Sequence, residues 1–206
     1  MNLRNFPEID EIIVFQNEFS PTEEVVNLDG VRVICSGENK YTLGRFLAAK
    51  EAKNSWIYTQ DDDLLVHNVG KLIHEGDPNT ITANLADDAS SKHWNWWQTH
   101  DMSHIELGFG SIFHKDMIDI IFEWPHGAST LKRKADKVFS VMNPWEAVYA
   151  GKDDLTRLHH DGVESGRDCN SLSLRADHDA LTEIAVSLSR KWKKKLAKGC
   201  TYLPTS

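Results

Sequence analysis

Three consecutive aspartates, Asp61, Asp62 and Asp63, close the strand-forming run Trp56-Ile57-Tyr58-Thr59-Gln60 and are followed at once by Leu64-Leu65-Val66. Like charges at the end of an apolar strand repel one another unless something cationic neutralises them. Hard carboxylate oxygens on a rigid strand end suit Mg²⁺ or Mn²⁺, ions that keep water and substrate phosphate as their remaining ligands. Side chains alternate along a strand, so Asp61 and Asp63 face one site and Asp62 turns away. A solvated acidic turn or a helix N-cap would use the same residues.

The segments around the triplet read as a layered α/β domain. Glu11–Phe15 is a short β-branched run that ends in the polar pair Gln16-Asn17, and Val31–Cys35 is a second strand stopped by Ser36-Gly37. Leu43 to Lys53 carries apolar residues at helical spacing (Leu43, Phe46, Leu47, Ala49, Ala52), and Trp56–Tyr58 is the next strand. Val66 to His74 reads as a helix and Thr80 to Leu85 as a fourth strand. Alternating elements of this kind build a mostly parallel sheet flanked by helices, with ligands outside the carboxyl ends of the strands. Both Gln16-Asn17 and Asp61–Asp63 stand at such ends.

The second half is less regular. It holds the Trp-rich stretch His93-Trp94-Asn95-Trp96-Trp97, then the Gly-punctuated run Gly108-Phe109-Gly110-Ser111-Ile112-Phe113, which reads as a strand, and a helix from His114 to Phe122. Asn143 and Pro144 are start signals for a helix through Leu158. Asp177 to Leu196 is an amphipathic helix with Leu181, Ile184, Ala185, Leu188 and Trp192 on one face.

At 206 residues the chain is long enough for one domain with a full core, 1–206. The net charge of −8 is unevenly spread: residues 190–198 hold six of the 23 basic residues and no acid, leaving 17 bases against 31 acids elsewhere. Contact with a polyanion is therefore expected at that cluster, whose bland role is to stabilise a helix C-terminus. Three cysteines (Cys35, Cys169, Cys200) without CxxC spacing argue against a disulfide framework and for a reducing, cytoplasmic compartment. The first eleven residues do not read as a signal peptide, and no apolar stretch reaches the ~18 residues of a membrane span, so no membrane partner is expected.

A strand ending in an Asp triplet, preceded by an Arg-Phe helix and a strand ending in Asn, resembles the GT-A glycosyltransferases, and among them the exostosin-type retaining enzymes. The likeness covers residues 11–158 and runs through Ile13-Val14-Phe15-Gln16-Asn17, Asn39-Lys40-Tyr41-Thr42-Leu43-Gly44-Arg45-Phe46, Tyr58-Thr59-Gln60-Asp61-Asp62-Asp63, Leu107 to Asp116 and Lys152-Asp153-Asp154-Leu155. The chain differs from that family in being shorter and in lacking a secretory anchor and disulfide cysteines, which points to an acceptor other than a heparan-type chain.

The resemblance implies a GT-A-like domain with a nucleotide-sugar half (11–105) and an acceptor half (106–206), a UDP-sugar donor and a Mn²⁺ or Mg²⁺ cofactor. Asp63 is then the first metal ligand, Asp61 a ribose or metal partner, and His178 a third ligand, with His159 and His160 as rivals. Gln16, Asn17, Asp62 and Gly110 would line the nucleotide sugar. Arg45 would reach the diphosphate or the base, or else form a structural salt bridge to the triplet. Gly108 and Gly110 would allow close backbone approach, or mark a bulge. Asp154 or Asp153 would stabilise charge at the anomeric carbon or act as base, unless they only open a helix.

For the acceptor, Trp94, Trp96 and Trp97 offer rings to a sugar or a base, although core packing would use them too. With Lys193 and Lys194 from the basic cluster they suit DNA, as in the small phage enzymes that glycosylate hydroxymethylated bases after flipping them. The alternatives are a saccharide, lipid-linked or protein acceptor, a nucleotidyltransferase using the same acids, or a non-enzymatic carbohydrate- or DNA-binding module. The missing Gly-rich phosphate loop after the first strand, where Asn17-Glu18-Phe19-Ser20-Pro21 stands instead, weighs against the nucleotidyltransferase.

Overall fold

A computed structural model describes residues 3–17, 29–61, 64–85, 105, 107–122, 135–140, 146–152, 155–157, 183–184 and 187. Strand β1 (Ile12–Gln16) pairs in parallel with β2 (Val31–Cys35), from Ile12 opposite Val31 to Gln16 opposite Cys35. Helix α1 (Leu43–Glu51) follows, then β3 (Trp56–Thr59), β4 (Leu64–Val66), α2 (Val69–His74) and β5 (Thr80–Leu85). Strand β6 (Ser111–His114), helix α3 (Asp119–Phe122), β7 (Glu146–Lys152) and β8 (Leu155–Arg157) complete the order, and residues 135–140 are also helical. Mixed helices and strands make this an α/β chain.

The main sheet has the order β3-β6-β5-β7. Strand β6 is antiparallel to both β3 and β5, and β5 is parallel to β7, so β3, β5 and β7 point one way with β6 running against them. β1-β2 and the antiparallel β4-β8 form two further two-stranded sheets.

Side-chain alternation explains the layers. On β3 and β6, Ile57 lies opposite Phe113 and Tyr58 opposite Ile112. Ile57 and Phe113 face a core shared with Phe46 and Ala49 of α1, Ile81 and Ala83 of β5, Met117, Ile118 and Ile121, and Phe139. Ile112 and Tyr58 face the other side, against Val66, Val69 and Leu72. The first core is centred on rings: Phe139 lies 5.1 Å from Phe46 and 5.0 Å from Phe113, both tilted, a geometry aromatic pairs favour.

Four expected elements change. The helix expected from His114 to Phe122 is shorter: His114 closes β6, Lys115–Ile118 is a 3₁₀ turn, and only Asp119–Phe122 is α-helical. The segment Asn143 to Leu158 is not helical over its described residues: Glu146–Lys152 and Leu155–Arg157 are strands. Pairing of β7 with β5, from Thr80 opposite Glu146 to Leu85 opposite Lys152, outweighs the local helix-start signals. Val66 ends β4 and the helix starts only at Val69. Leu107–Phe109 is a 3₁₀ turn, so the strand expected from Gly108 begins at Ser111. In the C-terminal segment Glu183, Ile184 and Ser187 are helical, but Ile184 is exposed although the apolar stripe would turn it inward. Among the described residues no helix is long and apolar enough to cross a membrane.

Phe46 is fully buried where helix and sheet meet. Phe46→Ala is expected to cost about 3–5 kcal/mol by loss of burial and the cavity left behind, measured by urea unfolding; a loss under ~1 kcal/mol would contradict this core assignment.

Candidate functional site

The acid-bearing strand end is built by contacts from three directions. Just beyond β3, the Asp61 N–H donates to the carbonyl of Gly108 at 2.8 Å. Behind it, Gln60 accepts a hydrogen bond from the Tyr58 hydroxyl at 2.8 Å, and its amide donates to the Leu64 carbonyl at 3.1 Å, tying the residue before the aspartates to the residue after them. Burial pushes the Tyr58 phenol well above its ordinary value, so it stays a neutral donor across the physiological range.

Arg45 enters from α1. Its Nη2 donates to Asp61 Oδ1 at 2.5 Å, its Nη1 to Thr59 Oγ1 at 3.2 Å, and its Nε lies 3.1 Å from Asp136 Oδ1. One guanidinium thus spans two carboxylates and a hydroxyl, a use of its fixed fork that a lysine would not reproduce. The arginine and Asp136 side chains are each 19% exposed, while Asp61 is 45% exposed. The salt bridge expected as one of the two roles of Arg45 is present, to Asp61.

Gly108 makes the close approach of Asp61 possible. A Cβ there would overlap the carboxylate, and even Asp61 Oδ1 would lie at 2.7 Å. Gly110 lies against Val66 and Asn84 with φ +91, a left-handed conformation that favours glycine.

The pair stands at a cleft of about 500 Å³ between β1 and α1 on one side and β3 on the other, lined among others by Asn17, Tyr41, Arg45, Thr59 and Asp61. β1 and β3 share no ladder. They are latched near their starts, where the Lys53 N–H donates to Glu11 Oε2 at 3.0 Å and Asn54 Nδ2 to Asp10 Oδ2 at 3.1 Å. On the helix side, a Cβ at Gly44 would come within 2.5 Å of the Phe15 ring, so glycine lets α1 close on β1. Asn17 Oδ1 accepts from the Lys40 N–H at 2.8 Å and so ties the end of β1 to the loop before α1. In that loop Tyr41 has φ +50, its N–H held by Asn39 Oδ1 at 2.7 Å, and its side chain exposed at the cleft. A left-handed non-glycine residue is strained, and such strain concentrates at functional sites.

Of the residues expected to act together, Asn17, Arg45 and Asp61 meet at this cleft. Gln16 closes β1, with its carbonyl accepting from the Ser36 N–H at 3.0 Å, and is not among the residues lining the cleft. Gly110 is not among the residues lining the cleft either. Asp62, Asp63, Trp94, Trp96, Trp97, Asp153, Asp154, His159, His160, His178, Lys193 and Lys194 lie outside the described residues. β7 ends at Lys152 and β8 begins at Leu155, so strands flank Asp153 and Asp154 in place of the expected helix start.

Sequence reasoning missed Thr59, Asp136 and Tyr41. The Asn39-Lys40-Tyr41 turn carries a local signal, an Asn side chain bonding the backbone two residues on. Nothing local points to Asp136, which reaches Arg45 only through the fold. Among the described residues no three His, Cys, Asp or Glu side chains gather as a metal cluster. No protein-family model matches the chain, and no curated protein matches it.

Gly108→Ala is expected to cost about 1–3 kcal/mol by overpacking against Asp61. In an Asp61→Ala background most of that cost disappears, because the clash partner is gone. Urea unfolding of the four proteins in this cycle measures it; equal costs in both backgrounds would contradict the contact.

Proposed function

We propose that this chain is a metal-dependent glycosyltransferase that moves a sugar from a nucleotide diphosphate sugar, a UDP-sugar, to an acceptor hydroxyl on a GT-A-like domain. The observation that carries the reading is Arg45, a guanidinium held at a strand end beside the half-exposed Asp61, both lining a cleft of about 500 Å³. Strands β3, β5 and β7 run in one direction, with the Asp triplet directly after β3, which supports a nucleotide-binding sheet with its ligand at the carboxyl ends.

The roles follow from the chemistry of each group. Arg45 donates to phosphate oxygens, for which its planar fork is suited, while Asp136 keeps the guanidinium from swinging away. Asp61, whose Oδ1 already serves Arg45, is either a partner of the ribose or a ligand of the metal. Asn17 holds the end of β1 beside the nucleoside, and the exposed ring of Tyr41 stands at the same cleft.

Asp61, a carboxylate directly after a strand end, is a ligand of the type a hard divalent cation takes. Asp61, Asp63 and His178 would hold Mn²⁺ or Mg²⁺, which when bound neutralises the diphosphate leaving group as a Lewis acid. Asp154 or Asp153 stabilises positive charge at the anomeric carbon or takes the acceptor proton.

For the acceptor we propose a hydroxymethylated base in DNA, held through its phosphates by the cluster around Lys193 and Lys194 and through its rings by Trp94, Trp96 and Trp97. This rests on the six positive charges of residues 190–198 in an otherwise acidic chain.

Thermal shift with UDP- and GDP-sugars, each with and without Mn²⁺, tests the donor reading. At a ligand concentration 100 times Kd, binding stabilises by about 2.7 kcal/mol, readily seen as a rise in Tm. The expected result is a shift that needs both Mn²⁺ and a UDP-sugar and is lost in Asp63→Ala. A shift with nucleoside triphosphates alone would replace the proposal with nucleotidyl transfer, and no shift with any nucleotide would sink it.

A further inference from the structure

The turn that supports Asp61 is itself fastened by a residue outside the cleft. All four carbonyls of Leu107–Gly110 are engaged. Ser111 Oγ donates to Leu107 O at 3.3 Å, and the Asp61 N–H to Gly108 O. Asn84 supplies the other two donors: its side-chain Nδ2 reaches Phe109 O at 3.0 Å and its backbone N–H reaches Gly110 O at 3.0 Å. Of these four carbonyls it is that of Gly108 that bonds toward the site, to Asp61, and Asn84 supplies two of the four donors.

Asn84 is 1% exposed, and a buried amide is costly unless bonded. It is bonded by Asn68: Asn68 Nδ2 donates to Asn84 Oδ1 at 2.7 Å, and Asn84 Nδ2 returns a bond to Asn68 Oδ1 at 2.9 Å. A reciprocal amide pair would survive flipping both groups, but only this orientation leaves an N–H for Phe109 O. The register between β5 and β7 also slips between Ala83 and Asn84, opposite Tyr149 and Gly151. Such irregularities re-aim side chains near active sites. A leucine would fill the same space if packing were the only demand.

We propose that Asn84, oriented by Asn68, is a positioning residue: it fixes the Leu107–Gly110 turn and thereby the place of Asp61, and through Asp61 that of Arg45. This rests on the reading of Asp61 and Arg45 as the nucleotide site. Asn84→Asp keeps the size of the side chain but turns the donor to Phe109 O into an acceptor.

The test is calorimetric binding of UDP with Mn²⁺ to the full chain, to Asn84→Asp, to Asp61→Ala and to the double variant, with Ile121→Ala as a core control. The expected result is a loss of about tenfold or more in Asn84→Asp, the scale of one mispaired buried hydrogen bond. That loss should vanish in the Asp61→Ala background. Ile121→Ala should lower Tm at least as much yet keep its UDP affinity, which separates positioning from general loosening of the fold. Where Asn84→Asp does not fold, Asn68→Ala frees the Asn84 amide to rotate and reads the same coupling. Wild-type binding with an Asn84→Asp affinity within twofold, or a loss that adds fully to that of Asp61→Ala, overturns the inference. Absence of UDP binding by the wild-type chain overturns the nucleotide reading first, and the positioning role falls with it.

Discussion

The contact between Arg45 and Asp61 organises the rest. A guanidinium and a carboxylate at 2.5 Å form a strong charge-assisted hydrogen bond, but one whose acid is 45% exposed contributes little net stability, about 1 kcal/mol or less. Stability alone does not account for what surrounds it. α1 delivers the arginine, Thr59 and Asp136 hold its other nitrogens, and Gly108 gives up a side chain so that the carboxylate can sit against the turn. Four segments, two of them far along the chain from α1 and β3, converge on one half-exposed ion pair. That convergence is what a site for a phosphate ester would need, since the guanidinium is oriented before the ligand arrives.

The layers make this possible. The ring cluster of Phe46, Phe113 and Phe139 clamps α1 to the sheet one residue past Arg45, so the rotation of the helix that buries Phe46 also aims Arg45 at the end of β3. On the opposite face Val66, Val69 and Leu72 pack with Ile112, which places α2 and the Asn68 amide beside the end of β5. The site is thus reached from both faces of the sheet, by Arg45 from one and by Asn68 and Asn84 from the other.

Much of the first half was legible in the residues. Val31–Cys35 and Thr80–Leu85 are strands over the expected bounds, and α1 and β3 differ only at their ends, because β-branched runs and helical spacing of apolar residues act locally. The Asp triplet pointed to the strand end, and Arg45 was already a candidate salt-bridge partner. What could not be read was non-local. Insertion of β6 against β3 and β5 depends on pairing, which leaves no mark on its four residues. The stretch after Pro144 carries helix-start signals but becomes β7 because β5 offers it a parallel edge. Asp136 and Asn84 look ordinary in sequence and gain their roles from distant partners. Gly108 was singled out for close approach to a ligand, and its close neighbour is Asp61.

The most direct test of the central claim is a crystal structure of the chain soaked with UDP and Mn²⁺. The account predicts the diphosphate within hydrogen-bond distance of the Arg45 guanidinium, with the nucleoside in the cleft between β1 and β3 toward Asn17. Nucleotide bound elsewhere, with Arg45 and Asp61 untouched by phosphate or ribose, would contradict it.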